Sequence, residues 1–295
     1  MSRRQPAECN GILRCPILAS YSIVDTGVAA IVDNLRKYGG PPFAVAAVHG
    51  GPGAPGEMAA VARELSSVAG VLEPLQTAAS VDGQVEELRA ILEHNGRLPL
   101  TLIGFSWGAW LSVILAASHP GYVKKLILIS SGPFQEEYAA NILETRLQRL
   151  RKGEREEAEA LHEALRSSTL PNRDRLARFG QLMSKADSYD LLPDVNQPSP
   201  VDPETYRLVW DEARRLRSSG QLLELAGRVE CPVTAIHGDY DPHPAEGVRD
   251  PLSRVIRDFR FVLLEECGHY PWRERNARGA FYRVLESEVK SPDLA

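Results

Sequence analysis

The pentapeptide Gly104-Phe105-Ser106-Trp107-Gly108 follows the apolar run LPLTLI at 98–103 and opens the longer apolar stretch WGAWLSVILAAS at 107–118. The short run fits a buried strand, and the longer one, stopped by Pro120-Gly121, fits a helix. The chain must therefore turn from strand to helix within a few residues. Gly104 and Gly108 keep side chains out of that crowded turn, and Ala109 is also small. Ser106 is left protruding at the start of the helix, where unpaired backbone N–H groups favour negative charge.

The same rhythm runs through the first 130 residues. FAVAAV at 43–48 reads as a buried strand that ends in glycines, and 57–68 as the next helix. A strand at 70–75, a helix at 81–94 and a strand at 123–130 follow. From Gln135 to about Ala226 the chain becomes rich in Glu, Arg, Leu and Ala, with amphipathic helices expected at 136–150 and 154–165. Pro193, Pro198, Pro200 and Pro203 mark an irregular connection, and Pro203 suits the first turn of a helix reaching Ser218. Strands at 233–236 and 259–264 and a closing helix at 277–289 restore the alternation. The expected fold class is α/β: a mostly parallel sheet flanked by helices, with an inserted helical cap. The core spans 1–133 and 228–295, and the cap spans 134–227.

Composition narrows the function classes. Of 295 residues 43% are apolar, enough for a sizeable core, and the formal net charge is −5 with both signs interspersed. That balance opposes a nucleic-acid partner, which calls for a basic stripe. Cys9, Cys15, Cys231 and Cys267 form no C-x-x-C pair, which argues against a zinc or dithiol site and fits a reducing compartment. Arg3 and Arg4 are followed by Gln5, Glu8, Asn10 and Arg14, not by an unbroken apolar segment, so an export signal is not expected. No run is long enough to cross a bilayer. The expectation is a cytoplasmic protein without membrane, metal or cofactor, acting on a small molecule or short peptide.

Two further segments carry chemistry. Gly238-Asp239-Tyr240-Asp241 follows one apolar run, and Gly268-His269 follows the last. A serine hydroxyl needs a base to take its proton, and the base needs an acid to hold its tautomer. His269 is the expected base. His49 and His237 end strands beside glycine and read as structural, His94 and His119 close helices, and His162 lies in the insert. His243 is the rival, but it shares a loop with the acid. Asp241 is favoured as that acid, with Asp239 as the alternative. An oxyanion hole needs two N–H donors. Trp107, directly after the serine, would supply one. Gly51 in His49-Gly50-Gly51-Pro52-Gly53 would supply the other, since glycine lets the backbone approach a substrate.

The order Ser…Asp…His resembles that of the α/β-hydrolase superfamily, and the resemblance covers nearly the whole chain. Within it, His49-Gly50-Gly51-Pro52-Gly53 and Ser106-Trp107-Gly108 look like the proline iminopeptidase group. That resemblance implies release of an N-terminal residue, typically proline, by a serine enzyme without metal beneath a helical cap. It implies a triad of Ser106, Asp241 and His269, with Gly51 and Trp107 lining the oxyanion hole. The group usually has glycine where Phe105 stands, and Leu72 to Asp82 does not match its Asp-Gln-Arg-Gly-like segment. Glu136, Glu137 and Glu144 are cap acids of the kind that would recognise a free amine. The alternative is a carboxylesterase or acyl hydrolase on small esters, with a pocket lined by residues such as Phe134, Tyr138 and Trp210. A ligand-binding receptor on a hydrolase scaffold is a third reading. The aspartate nucleophile of epoxide hydrolases and haloalkane dehalogenases is not matched by Ser106.

Overall fold

The computed structural model describes residues 34–167, 172–193 and 201–291. The first 33 residues of the expected core, with Cys9 and Cys15, and the Pro198–Pro200 part of the expected irregular connection lie outside them. In chain order the elements are β1 (Leu35–Tyr38), β2 (Phe43–Val48), α1 (Ala59–Leu65), β3 (Gly70–Pro74) and α2 (Val81–Asn95). β4 (Leu100–Phe105), α3 (Trp107–Ser118) and β5 (Val123–Ile129) come next. Helices α4 (Ile142–Arg149), α5 (Lys152–Ser167), α6 (Arg173–Ala186), α7 (Pro203–Ser218) and α8 (Gln221–Ala226) lead to β6 (Val233–Gly238). The chain ends through α9 (Glu246–Val255), β7 (Phe259–Leu264) and α10 (Arg278–Lys290).

The strands form one sheet in the order β1-β3-β2-β4-β5-β6-β7. All pairs are parallel except β1 with β3. Parallel strands covered on both faces must be apolar at every position, which explains the unbroken runs in the sequence. Successive residues of β2 show the division: Ala46 and Val48 join one core cluster, Val45 and Ala47 the other. The first cluster includes side chains of α2, α3, α8 and α9, and the second those of α1 and α10. Each fully buried aliphatic side chain contributes about 1.5–3 kcal/mol.

Three details differ from the sequence expectation. β4 starts at Leu100 and runs through Phe105, two residues beyond the expected span. Pro99 cannot donate to the ladder, whereas Phe105 still pairs with Ile129 of β5. The expected helix 136–150 divides into a short turn, Glu136–Ala139, and α4. Tyr138 packs so closely on α9 that a Cβ at Gly247 would lie 2.7 Å from Tyr138 Cβ, a tertiary contact that the helical pattern does not contain. Finally, β1, α6, α8 and α9 are additional elements. β1 is an edge strand with Arg36 and Lys37 at its centre, and α9 contains Gly247 and Pro251.

Between β5 and β6 the named elements are helical. α7 reaches the glycine-rich loop after β2, where Asp202 donates its N–H to Gly53 O at 2.9 Å. From α7, Trp210 stacks on Trp110 of α3, with ring centroids 5.8 Å apart and an interplanar angle of 7°. Among the described residues no helix is long and apolar enough to cross a membrane.

Candidate active site

The strand-to-helix turn forms as its glycines require. A Cβ on Gly104 would fall 2.3 Å from Gly108 O, and one on Gly108 would fall 2.4 Å from His49 O. The turn therefore presses directly on the glycine-rich loop. Ser106 sits at φ 52°, ψ −115°, a region that L-residues rarely enter. Its N–H donates to Ile129 O at 2.9 Å, and its side chain remains partly accessible. Trp107 is the first residue of α3, so its N–H belongs to the helix turn that has no intrahelical acceptor. Its indole N–H donates to Gln84 at 2.9 Å. In the facing loop Gly51 has φ +33°, and its carbonyl accepts from the Ala54 N–H at 2.9 Å. His49 is structural: its ring bonds Gly50 O at 2.7 Å through Nδ1 and accepts from Gln76 N–H at 3.2 Å through Nε2. Burial pushes its imidazole down to about 4, so it stays neutral.

His269 follows β7 and reaches back to β4. Its Nε2 lies 3.1 Å from Ser106 Oγ, and its Nδ1 lies 2.7 Å from Asp241 Oδ2. Ser106, His269 and Asp241 thus form one hydrogen-bonded chain. Asp239, the alternative acid, is exposed and accepts instead from Cys267 N–H at 3.1 Å. Burial opposes charge on both groups. For His269 the Asp241 charge and hydrogen bond outweigh burial, and its pKa lies above the usual 6.5. For Asp241 the neighbouring imidazoles outweigh burial, and the carboxyl is held well below its usual range.

Several supports were not singled out in the sequence. Asp187, directly after α6, accepts the His269 N–H on its backbone carbonyl at 2.7 Å. Its carboxylate takes both Nε and Nη2 of Arg146, at 2.6 and 2.7 Å. Glu274 is fully buried, and its carboxylate accepts from Gly268 N at 3.0 Å, Tyr189 N at 2.9 Å and Asp190 N at 2.7 Å. Arg149 lies 3.7 Å over the Tyr240 ring and donates to Tyr240 O at 2.8 Å. Phe105 is buried, with its ring centroid 5.0 Å from that of His269 and 4.7 Å from that of Trp272. Phe105 lies beside Ser106, Tyr240 beside Asp241 and Glu274 shortly after His269, whereas Arg146, Arg149 and Asp187 are remote in sequence.

Glu57 is a further carboxyl beside His269. Burial raises it to about 7, against the opposing influence of His269, Arg273 and a bond from the Gly50 backbone. The cap acids named from the sequence lie at the surface. Glu136, Glu137 and Glu144 are exposed, with Glu136 bonded to Arg217 at 2.8 Å and Glu144 to Gln148 at 2.8 Å. Phe134 is fully buried and Tyr138 and Trp210 are half-buried, with Trp210 stacked on Trp110 and Phe134 tilted against it. Cys267 is buried, and burial pushes its thiol well up, so it is inert packing.

Asp241, His243 and His269 bring one donor atom each within 4.8 Å of one another. Both Asp241 oxygens already bond imidazole nitrogens, so a cation would have to displace those protons, and the set fits a hydrogen-bonded relay better than a metal.

Residues 48–272 match the model of the alpha/beta hydrolase fold family. The chain belongs to the α/β-hydrolase fold family. A pimeloyl-[acyl-carrier protein] methyl ester esterase of Neisseria meningitidis is 24% identical over 217 residues, covering 72% of this chain and 75% of that enzyme. Among solved structures, VinJ superposes with a TM-score of 0.64 at 17% identity, covering 87% of this chain and 94% of its own. Proline iminopeptidase of Mycobacterium smegmatis gives a TM-score of 0.57 at 18% identity, covering 86% and 93%. These two likenesses show the α/β-hydrolase fold.

Proposed function

We propose that this α/β-hydrolase is a serine hydrolase that works through an acyl-enzyme on Ser106, with His269 as base and Asp241 as acid. The carrying observation is the relay Asp241 Oδ2, His269 Nδ1 and Nε2, Ser106 Oγ, at 2.7 and 3.1 Å. The Ser106 proton passes to His269 Nε2 as Oγ attacks the substrate carbonyl, and the imidazolium is held by Asp241. The backbone N–H groups of Gly51 and Trp107 receive the developing oxyanion. His269 then returns the proton to the leaving group, and water, activated by the same imidazole, releases the acyl group. Residues 134–227 act as a helical cap on a core of 1–133 and 228–295. The cysteine pattern supports a cytoplasmic setting.

A small carboxylic ester is the substrate class best supported. The three named cap acids face solvent, and the half-buried Tyr138 and Trp210 offer apolar surface. The Neisseria relative carries an ester in its name. Release of N-terminal residues is the second reading, favoured by His49-Gly50-Gly51-Pro52-Gly53 and by Glu57, a carboxyl near His269 that can meet an ammonium group. Two substrates separate them: a short-chain aryl ester and an L-prolyl arylamide, each with wild type and Ser106→Ala. Ester turnover lost in the variant supports the first reading, and arylamine release lost in the variant supports the second. A folded wild type that gains no mass adduct from a fluorophosphonate overturns both and leaves a ligand-binding role.

A further inference from the structure

We infer that His243 is a positioning residue that anchors Asp241 through the carboxylate oxygen that His269 does not bond, a role that rests on the serine hydrolase reading above. The Asp241 side chain is fully buried among three imidazoles, two of them at hydrogen-bond distance and the third, His237, with Nε2 3.6 Å from Oδ2. Oδ2 meets His269 Nδ1 at 2.7 Å, while Oδ1 meets His243 Nδ1 at 2.8 Å and the His243 backbone N–H at 2.9 Å. A carboxylate can only accept, so Nδ1 of His243 carries the proton and Nε2 keeps the lone pair. The two rings lie 4.6 Å apart at 34°. His243 is in turn fixed from β6, where His237 Nε2 bonds the His243 carbonyl at 2.8 Å. The resulting chain runs His237, His243, Asp241, His269, Ser106.

Two consequences follow from this placement. The backbone N–H alone would hold Oδ1 by a single bond, whereas the imidazole adds a second donor there and fixes the carboxylate plane that meets His269 more firmly. The second donor also draws negative charge toward Oδ1, so Oδ2 stabilises the His269 imidazolium less than an undivided carboxylate would. Burial holds His243 itself down to about 4, so it is neutral in the range where His269 titrates. The other groups acting on these two rings and Asp241 are His237, Arg146, Asp187 and Glu57.

The test compares His243→Ala and His243→Asn, since the asparagine amide places an N–H near the position of Nδ1. For ester hydrolysis His243→Ala is expected to lower kcat by about tenfold to a hundredfold with KM little changed. It should also move the acid limb of kcat/KM upward by about half a pH unit, because His269 becomes more basic and must be neutral to act. His243→Asn should recover most of kcat and return the limb toward wild type. An alanine variant with wild-type kcat and pH limb overturns the role, as does an asparagine variant no better than alanine. If thermal melting shows that His243→Ala does not fold, His243→Gln, with its donor displaced by one carbon, is read against His243→Asn in the same way. Ser106→Ala separates the two levels: full turnover there defeats the hydrolase reading itself, whereas an inactive Ser106→Ala beside a wild-type-like His243→Ala defeats the anchoring role only.

Discussion

Ser106 and His269 are held by opposite means. Ser106 is placed by backbone over five consecutive residues, with glycines at 104 and 108 packed against main chain and a positive φ at the serine itself. His269 sits in a loop tied by the Asp241 carboxylate, the Asp187 carbonyl and the Phe105 ring from far along the chain, and by the Glu274 carboxylate from its own stretch. The first device is steric and local, so changing it leaves the chain no tolerable path. The second is polar and distributed, so its parts can be removed one at a time with graded effects.

The largest test of that contrast is Gly108→Val. Its Cβ would sit 2.4 Å from His49 O and 2.6 Å from Val48 O, with main chain on both sides and no flexible neighbour to yield. Expression should give no folded protein by circular dichroism, and a stable, native-like Gly108→Val would refute the steric account. Next in size is Asp241→Asn, which keeps the shape but loses the charge and the acceptor pair. It should lower kcat by about 10⁴-fold, while Asp239→Asn, which loses only a bond to Cys267 N–H, should cost less than about tenfold. Steady-state kinetics on both variants rank the two acids, and the reverse ranking moves the acid to Asp239.

Glu274→Gln probes the distributed side more gently. Its amide brings an N–H₂ against backbone donors that the carboxylate now satisfies, at a cost of about 1–3 kcal/mol. Urea unfolding should show that loss together with reduced kcat. Unchanged stability would mean the three N–H bonds are easily replaced. The smallest expected effect belongs to Glu57→Gln. Above about pH 7 an ionised Glu57 favours the His269 imidazolium, so removing its charge should lower the acid limb of kcat/KM by a few tenths of a pH unit. An unchanged limb would show that Glu57 meets His269 mainly in its neutral form.

The same contrast explains what could be read in one dimension. β2, most of β4, the end of β5 and most of α3 are apolar because they are buried in the two core layers, and α3 occupies the stretch 107–118 that the sequence pattern marks. β1 was hidden by Arg36 and Lys37, which suit an edge but interrupt an apolar pattern. Ser106, His269 and Asp241 stand beside glycines at strand ends, which is a local signal. Glu274 carries no such signal: it is one glutamate among many until Tyr189, Asp190 and Gly268 converge on it. Glu136, Glu137 and Glu144 are visible as acids of an amphipathic segment, but only the structure shows that all three are exposed.

The segment after α6 lies along the loop that carries His269. His269 N–H bonds Asp187 O at 2.7 Å, Leu192 N–H bonds Arg273 O at 2.8 Å, and Arg275 N–H bonds Asp190 O at 2.9 Å. The helical insert is therefore not a cassette that can be exchanged whole. A graft that replaced everything between β5 and β6 would also remove the backbone from which the imidazole hangs, and would arrive inactive whatever pocket it brought. α7 meets the core elsewhere, through buried Val209 and Ala213, the Trp210 stack on Trp110 and the Asp202 contact with Gly53, away from the stitched edge.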